Sequence, residues 1–243
     1  PVRTRRKRRV MGAEEISPIA ARFAQLAQTH GAQTAIAFRG DEQRPDHLFT
    51  HDFAKFWRRV ERVTAHLQAS WQIQPGDRVA WLGLNHELQL VALVACARLG
   101  AIFMPLNFRL AVAELQQVLN DATPSLLVHD SLHDSAAQSL QSLQSLQSPG
   151  LQRTHQDTLI NAPAPRGLPL PVVMGHAPVL LVYTSGTTGQ PKGALHTQDN
   201  LLANARASQA AHGFVANDQV LSSLPLFHVG GCASRRCQPC WPG

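Results

Sequence analysis

The sequence predicts an α/β protein in which layers of parallel sheet are covered by helices. Between residues 78 and 129, short apolar runs alternate with helical segments in the order strand–helix–strand–helix–strand. Those runs are apolar almost without interruption, as strands become when helices cover both faces of their sheet. The chain has 243 residues, enough for one large domain or two small ones with a sizeable core.

The elements follow in order. "SPIAARFAQLAQTHG" is a helix with Ser17 as N-cap, Pro18 at its first position and Gly31 closing it. "TAIAFRG" is a short strand. From Thr50 onward, Phe53, Phe56, Trp57, Val60, Val63 and Leu67 recur at spacings of three and four and form one apolar helical face. That aromatic stripe reads as core packing rather than as a cofactor site. The turn "QPGD" leads into the strand "RVAWLGL", with Asn85 as the expected cap of the apolar helix "HELQLVALVACARLG". "AIFMPL", "AVAELQQVLNDA" and "SLLVHD" supply a strand, a helix and a strand. The window Leu88 to Leu106 is apolar, but Gln89, Arg98, Gly100 and Pro105 interrupt it, so a buried helix and strand are expected and no integral membrane span.

Residues 131–150 read as an exposed, mobile insertion, because the repeat "SLQSLQSLQS" has a period of neither helix nor strand. A proline-rich connection, "NAPAPRGLPLPVV", precedes the buried strand "APVLLVY". After the loop that follows this strand, "GALHT" is extended and "QDNLLANARASQAAHG" is a helix ended by Gly213.

The formal charge of +6 is carried by the first ten residues, "PVRTRRKRRV", and the body of the chain is close to neutral. With no basic or aromatic face beside that run, a nucleic-acid partner is not expected. Residues 1–10 read as a basic leader outside the domain. They are a localisation or polyanion-binding arm, part of a transit peptide, or sequence upstream of a start at Met11. No apolar secretory segment is visible, and Cys96 stands alone in an apolar helix, so a reducing, cytoplasmic setting is expected.

The segment with the most chemistry is "LVYTSGTTGQPKGALHT". Tyr183, Thr184, Ser185, Thr187 and Thr188 bring hydroxyls, Gly186, Gly189 and Gly193 backbone freedom, and Lys192 a charge. A glycine-rich loop can turn its N–H groups inward around an anion, with hydroxyls as further donors and lysine as a phosphate-seeking point charge. Each hydrogen bond to a charged group contributes about 1.5–3 kcal/mol, so backbone and hydroxyls together outweigh the single lysine. The spacing does not fit a Walker A loop, since Lys192 precedes Gly193 and Pro191 stands where a glycine is needed; G-x-G-x-x-G is also absent. A flexible surface turn would not require this density of glycine and hydroxyl.

"YTSGTTGQPKG" resembles the phosphate-binding signature of the adenylate-forming superfamily, which includes acyl-CoA synthetases, luciferases and peptide-synthetase adenylation domains. Two further segments are similar to that family in order and spacing: Gly76 to Leu110, ending in "PLNFRL", and "LSSLPLFHVGG", Leu221 to Gly231. The "PLNFRL" ending is closer to fatty-acyl-CoA synthetases. The resemblance implies ATP, used with Mg2+ as MgATP, and coenzyme A as cofactors. It also implies a small-molecule carboxylic acid that is activated to an acyl-adenylate and then to a CoA thioester. It further implies that Thr184, Ser185, Gly186, Thr187, Thr188, Gly189 and Lys192 hold the ATP phosphates, and that His228 flanks the acyl carboxylate. Lys192 and His228 are thus the candidate catalytic residues; Asn107 and Arg109 have weaker claims.

Members of the family are about twice this length, and no adenine loop, ribose-binding carboxylate or C-terminal lysine domain follows Gly231. Residues 11–231 are therefore expected to be an incomplete N-terminal domain of an adenylate-forming enzyme, inactive alone, and 232–243, "CASRRCQPCWPG", an atypical tail from a shifted reading frame or broken gene. Two other classes stay open: a phosphate-binding module without catalysis, and a metal site using His228, Cys232, Cys237 and Cys240. No metal is expected among the site residues.

Overall fold

A computed structural model describes residues 17–40, 47–147, 150–161, 169–184, 192–216 and 218–228. The basic leader and the 232–243 tail lie outside these residues.

The described residues begin with α1 (Pro18–Thr29), capped as expected by the Ser17 side chain, which accepts from Ala20 N at 3.2 Å. Strands β1 (Thr34–Arg39) and β2 (Leu48–Asp52) form a two-stranded antiparallel sheet. The helical segment read from Thr50 starts later: α2 runs Phe53–Trp71 with Asp52 as its cap. β2 is five residues long and only His51 in it is buried, so it offered no period for a sequence reading to detect.

Among the described residues the main sheet has six strands: β3 (Arg78–Leu82), β4 (Ile102–Pro105), β5 (Leu126–His129), β6 (Gln152–His155), β7 (Pro178–Thr184) and β8 (Lys192–Thr197). Their order is β6-β5-β3-β4-β7-β8. Every pairing is parallel except β7 with β8. The helices between them are α3 (Glu87–Leu99), α4 (Val112–Ala122), α5 (Asp134–Gln147) and α6 (Gln156–Ile160), and α7 (Gln198–His212) follows β8.

Alternate residues of β3 feed opposite cores. Val79 and Trp81 join the cluster built with α2 and α3, while Ala80 and Leu82 join the one built with α4 and α5. This two-sided burial is why the strand sequences are continuously apolar. Gln198, at the start of α7, ties three helices of one layer together: it accepts from Ser17 Oγ, the cap of α1, at 2.5 Å and donates to Ala97 O on α3 at 3.1 Å.

Two sequence expectations are corrected. Residues 134–147 of the supposed mobile insertion are an α-helix, with Ala137 and Leu140 fully buried. A three-residue repeat on a helix of 3.6 residues per turn drifts by about 60° per step, so its leucines cannot all face inward. Leu140 is on the inward stripe while Leu143 is 40% exposed. Asn85 is not the cap of α3; His86 is, its Nδ1 accepting from Leu88 N at 3.1 Å. No helix among the described residues is long and apolar enough to cross a membrane.

Candidate active site

Strands β3, β4, β5 and β7 run parallel, so the segments that leave their carboxyl ends gather on one edge of the sheet. From β3 the chain departs through α3 toward β4, whereas from its neighbour β5 it departs through α5 toward β6 on the other side. Such a divergence is a topological switch point, and ligands of open α/β sheets usually bind at the carboxyl ends of the strands there.

β7 ends at Thr184 and β8 begins at Lys192, and the two residues are register partners across the antiparallel pair. Both side chains are exposed. Ser185, Gly186, Thr187, Thr188 and Gly189 fall between them, outside the described residues. A β-carbon on Gly193 would sit 2.9 Å from Leu181 Cδ1 and 3.2 Å from Tyr183 Cζ, so glycine lets β8 lie close against the tyrosine ring. Tyr183, one of the hydroxyls in the glycine-rich motif, donates to Asp121 Oδ2 on α4. Burial and then this bond push its phenol well above the ordinary tyrosine range, so it stays a donor.

His228 is exposed, on a segment that is neither helix nor strand. Asn85 holds that segment through its backbone: Nδ2 donates to Leu224 O at 2.9 Å and Oδ1 accepts from Leu226 N at 2.7 Å. Leu226 is buried in the main core, and Phe227 meets Phe108 edge to face with ring centroids 5.1 Å apart. Arg109 lies over both rings, 5.7 Å and 5.9 Å from their centroids. Asn107 Oδ1 accepts from Arg109 N at 3.0 Å, so both weaker candidates shape the platform beside His228. The structure thus pairs Thr184 with Lys192 and groups Asn107, Phe108 and Arg109 with the His228 segment, all on one sheet edge.

Sequence reasoning missed Asp130. This buried residue accepts from Leu84 N at 2.8 Å and from His133 N at 3.0 Å, clipping the loop after β3 to the turn after β5. Gly83 permits the approach, because a β-carbon there would stand 2.8 Å from Asp130 Oδ2. An aspartate ending an apolar strand and followed by serine was the available signal. Behind it His129 is buried, donating from Nδ1 to Asp130 O at 3.0 Å and facing Arg153 at 3.2 Å through Nε2. Burial holds the His129 imidazole below the ordinary histidine range, so it is neutral near pH 7. Of the alternative metal set, Cys232, Cys237 and Cys240 lie outside the described residues, and no metal-holding cluster occurs within them.

The AMP-binding enzyme family matches residues 23–235. The chain belongs to that family. Among curated relatives, feruloyl-CoA synthase of Amycolatopsis is 38% identical over 177 residues, covering 73% of this chain and 34% of that protein. Indoleacetate–CoA ligase of Aromatoleum aromaticum is 41% identical over 180 residues, covering 71% of this chain and 35% of the ligase. The chain thus spans about a third of the length of these relatives. A long-chain-fatty-acid CoA ligase structure from Rhodopseudomonas palustris superposes with a TM-score of 0.75 at 26% identity, over 88% of this chain and 53% of that one. The o-succinylbenzoate CoA synthetase of Bacillus subtilis, in complex with ATP and magnesium ion, gives 0.71 at 27% identity, over 87% and 52%. The AMP-binding fold is therefore present as a portion of its N-terminal domain.

Proposed function

We propose that this chain is the phosphate-binding portion of an acid–thiol ligase, which activates a carboxylic acid with ATP and passes the acyl group to coenzyme A. The observation that carries the reading is the Thr184–Lys192 register pair, which brings the two ends of the glycine-rich segment together at the carboxyl edge of the sheet. An exposed hydroxyl and an exposed ammonium at that mouth are the donor and charge that a polyphosphate needs, so the residues present fit ATP. A magnesium ion carried by ATP keeps phosphate and water oxygens as ligands, a set that needs no dedicated protein cage.

Bound MgATP supplies the electrophilic phosphorus and the pyrophosphate leaving group. Thr184, Lys192 and the loop residues Ser185, Gly186, Thr187, Thr188 and Gly189 hold the phosphates in line and stabilise the charge that builds on them. His228 borders the acid and orients its carboxylate, with Phe108, Phe227 and Arg109 as its support. The "PLNFRL" ending favours a fatty acid. The names of the feruloyl and indoleacetate relatives widen this to acids with an apolar aliphatic or aryl tail.

The 243-residue chain by itself is expected to bind MgATP without completing thioester formation, since it spans about a third of such ligases. Titration calorimetry of MgATP into the chain tests the first half. Lys192→Ala should weaken binding roughly ten- to hundredfold, the equivalent of one charged hydrogen bond. Absence of any MgATP binding by the folded chain would sink the reading. ATP–pyrophosphate exchange with octanoate, ferulate and indoleacetate, run on an intact ligase that carries this chain as its N-terminal part, separates it from the runner-up, a phosphate-binding module without chemistry.

A further inference from the structure

We infer that Asn85 is a positioning residue for His228, setting the place of the imidazole without touching substrate. The inference rests on the reading of His228 as the residue beside the acid. Residues 221–228 form no strand with the other described residues, and the Asn85 amide gives their backbone the donor and acceptor that a strand neighbour would give. It donates one bond to Leu224 O and accepts one from Leu226 N, across sequence separations of 139 and 141 residues. His228 N closes a turn back to Pro225 O at 3.2 Å, so the residues that Asn85 grips are one turn away from the histidine.

The grip is only as good as its base, and the base is fixed. Leu84, beside Asn85, donates its N–H to buried Asp130 and its carbonyl accepts from Gln89 Nε2 at 3.3 Å. On the far side, Glu87 is buried in an ion pair with Arg59 at 2.5 Å. Asn85 therefore projects from a rigid corner at the end of β3 toward a segment that lacks secondary structure. Phe108 packs the same segment through Phe227, a ring contact that by itself sets no backbone register. The amide fixes the register of the segment.

Hydrogen exchange and the His228 ring signals of the 243-residue chain test this directly. In Asn85→Ala, the Leu226 and His228 amides should exchange about tenfold faster or more, since two hydrogen bonds are lost. The His228 ring resonances should shift, and amides in β3, β4 and β5 should be unchanged. Asn85→Asp, which keeps the acceptor for Leu226, should recover part of the Leu226 protection. Leu140→Ala, a core truncation on α5, serves as the control for general loss of stability. Unchanged exchange and ring signals in Asn85→Ala would overturn the assignment, as would the same local pattern in Leu140→Ala, or Asn85→Asp exchanging at Leu226 as fast as Asn85→Ala. None of these readouts uses ATP, so failure of the ligase reading and failure of the tether are seen in separate experiments.

Discussion

The β7–β8 hairpin and the 224–228 segment each present candidate residues at the same sheet edge, and they are held by opposite means. In the hairpin, Thr184 and Lys192 are fixed by ladder bonds between strands that are close in sequence. Among the described residues the His228 segment has no ladder, and side chains remote from it in sequence, Asn85 and Phe108, hold to it. A local device survives the loss of any one side chain, since backbone bonds remain. A remote device transmits every disturbance at its base. The two regions should therefore respond differently to the same kind of mutation.

The largest effect is expected at the base of the remote device. Glu87 sits in the first turn of α3, 5% exposed, with Arg59 at 2.5 Å and His51 at 3.5 Å. Burial pushes its carboxyl up, but the His51 hydrogen bond and the charges of Arg59, His51 and His86 outweigh that and hold it below the ordinary glutamate range. Arg59→Ala leaves the carboxylate buried with its main partner gone and should cost about 3 kcal/mol. Urea denaturation measures this, and exchange at Leu226 should rise while the Thr184–Lys192 ladder keeps its protection. The pH dependence follows from the same group. A carboxyl with a depressed folded value stabilises fully above its unfolded value of about 4.3, and that stability is lost as pH falls through the lower folded value. Glu87→Gln should flatten the acid limb of the stability curve; an unchanged limb would remove Glu87 from it.

A smaller effect is expected in the hairpin. Gly193→Val places branched carbon where Leu181 and Tyr183 already stand, and overpacking of this kind costs about 1–3 kcal/mol. The loss should appear at the β7–β8 ladder and in MgATP binding, with the Leu226 amide unaffected. Tyr183→Phe keeps the ring and removes only the donor to Asp121, for about 1 kcal/mol. If either variant loosened the His228 segment as much as the hairpin, the two regions would not be independent.

The same contrast governs what the sequence could reveal. The sheet from β3 to β5 was readable because burial on both faces makes its strands apolar throughout, and that constraint is written residue by residue. The ends of the hairpin were readable because glycines, hydroxyls and Lys192 are consecutive. β6 was not, because it is an edge strand whose Gln152, Arg153 and His155 stay partly in water. Asn85 looked like a helix cap because Asn before an apolar helix usually is one. Its partners lie 139 and 141 residues away, and no local pattern encodes such a separation. The Tyr183 bond to Asp121 is hidden for a related reason: whether a hydroxyl on β7 meets α4 depends on the strand's facing, which a glycine-rich motif does not announce.

The smallest expected effect separates the two supports of the His228 segment from each other. Phe108 and Phe227 meet at an interplanar angle of 88°, the edge-to-face geometry that ring quadrupoles favour. Such a pair contributes about 0.5–1.5 kcal/mol beyond its buried area. The cycle Phe108→Leu, Phe227→Leu and the double variant isolates that coupling, because leucine keeps most of the apolar volume while removing both rings. Arg109 stacks on both, so part of its attraction is lost in each single variant and the measured coupling will include it. If the ring contact merely covers the segment while Asn85 sets its register, the cycle should show this coupling in urea midpoints and leave Leu226 exchange nearly unchanged. A Leu226 amide freed by Phe227→Leu as strongly as by Asn85→Ala would mean that the rings, and not the amide, hold the backbone in place.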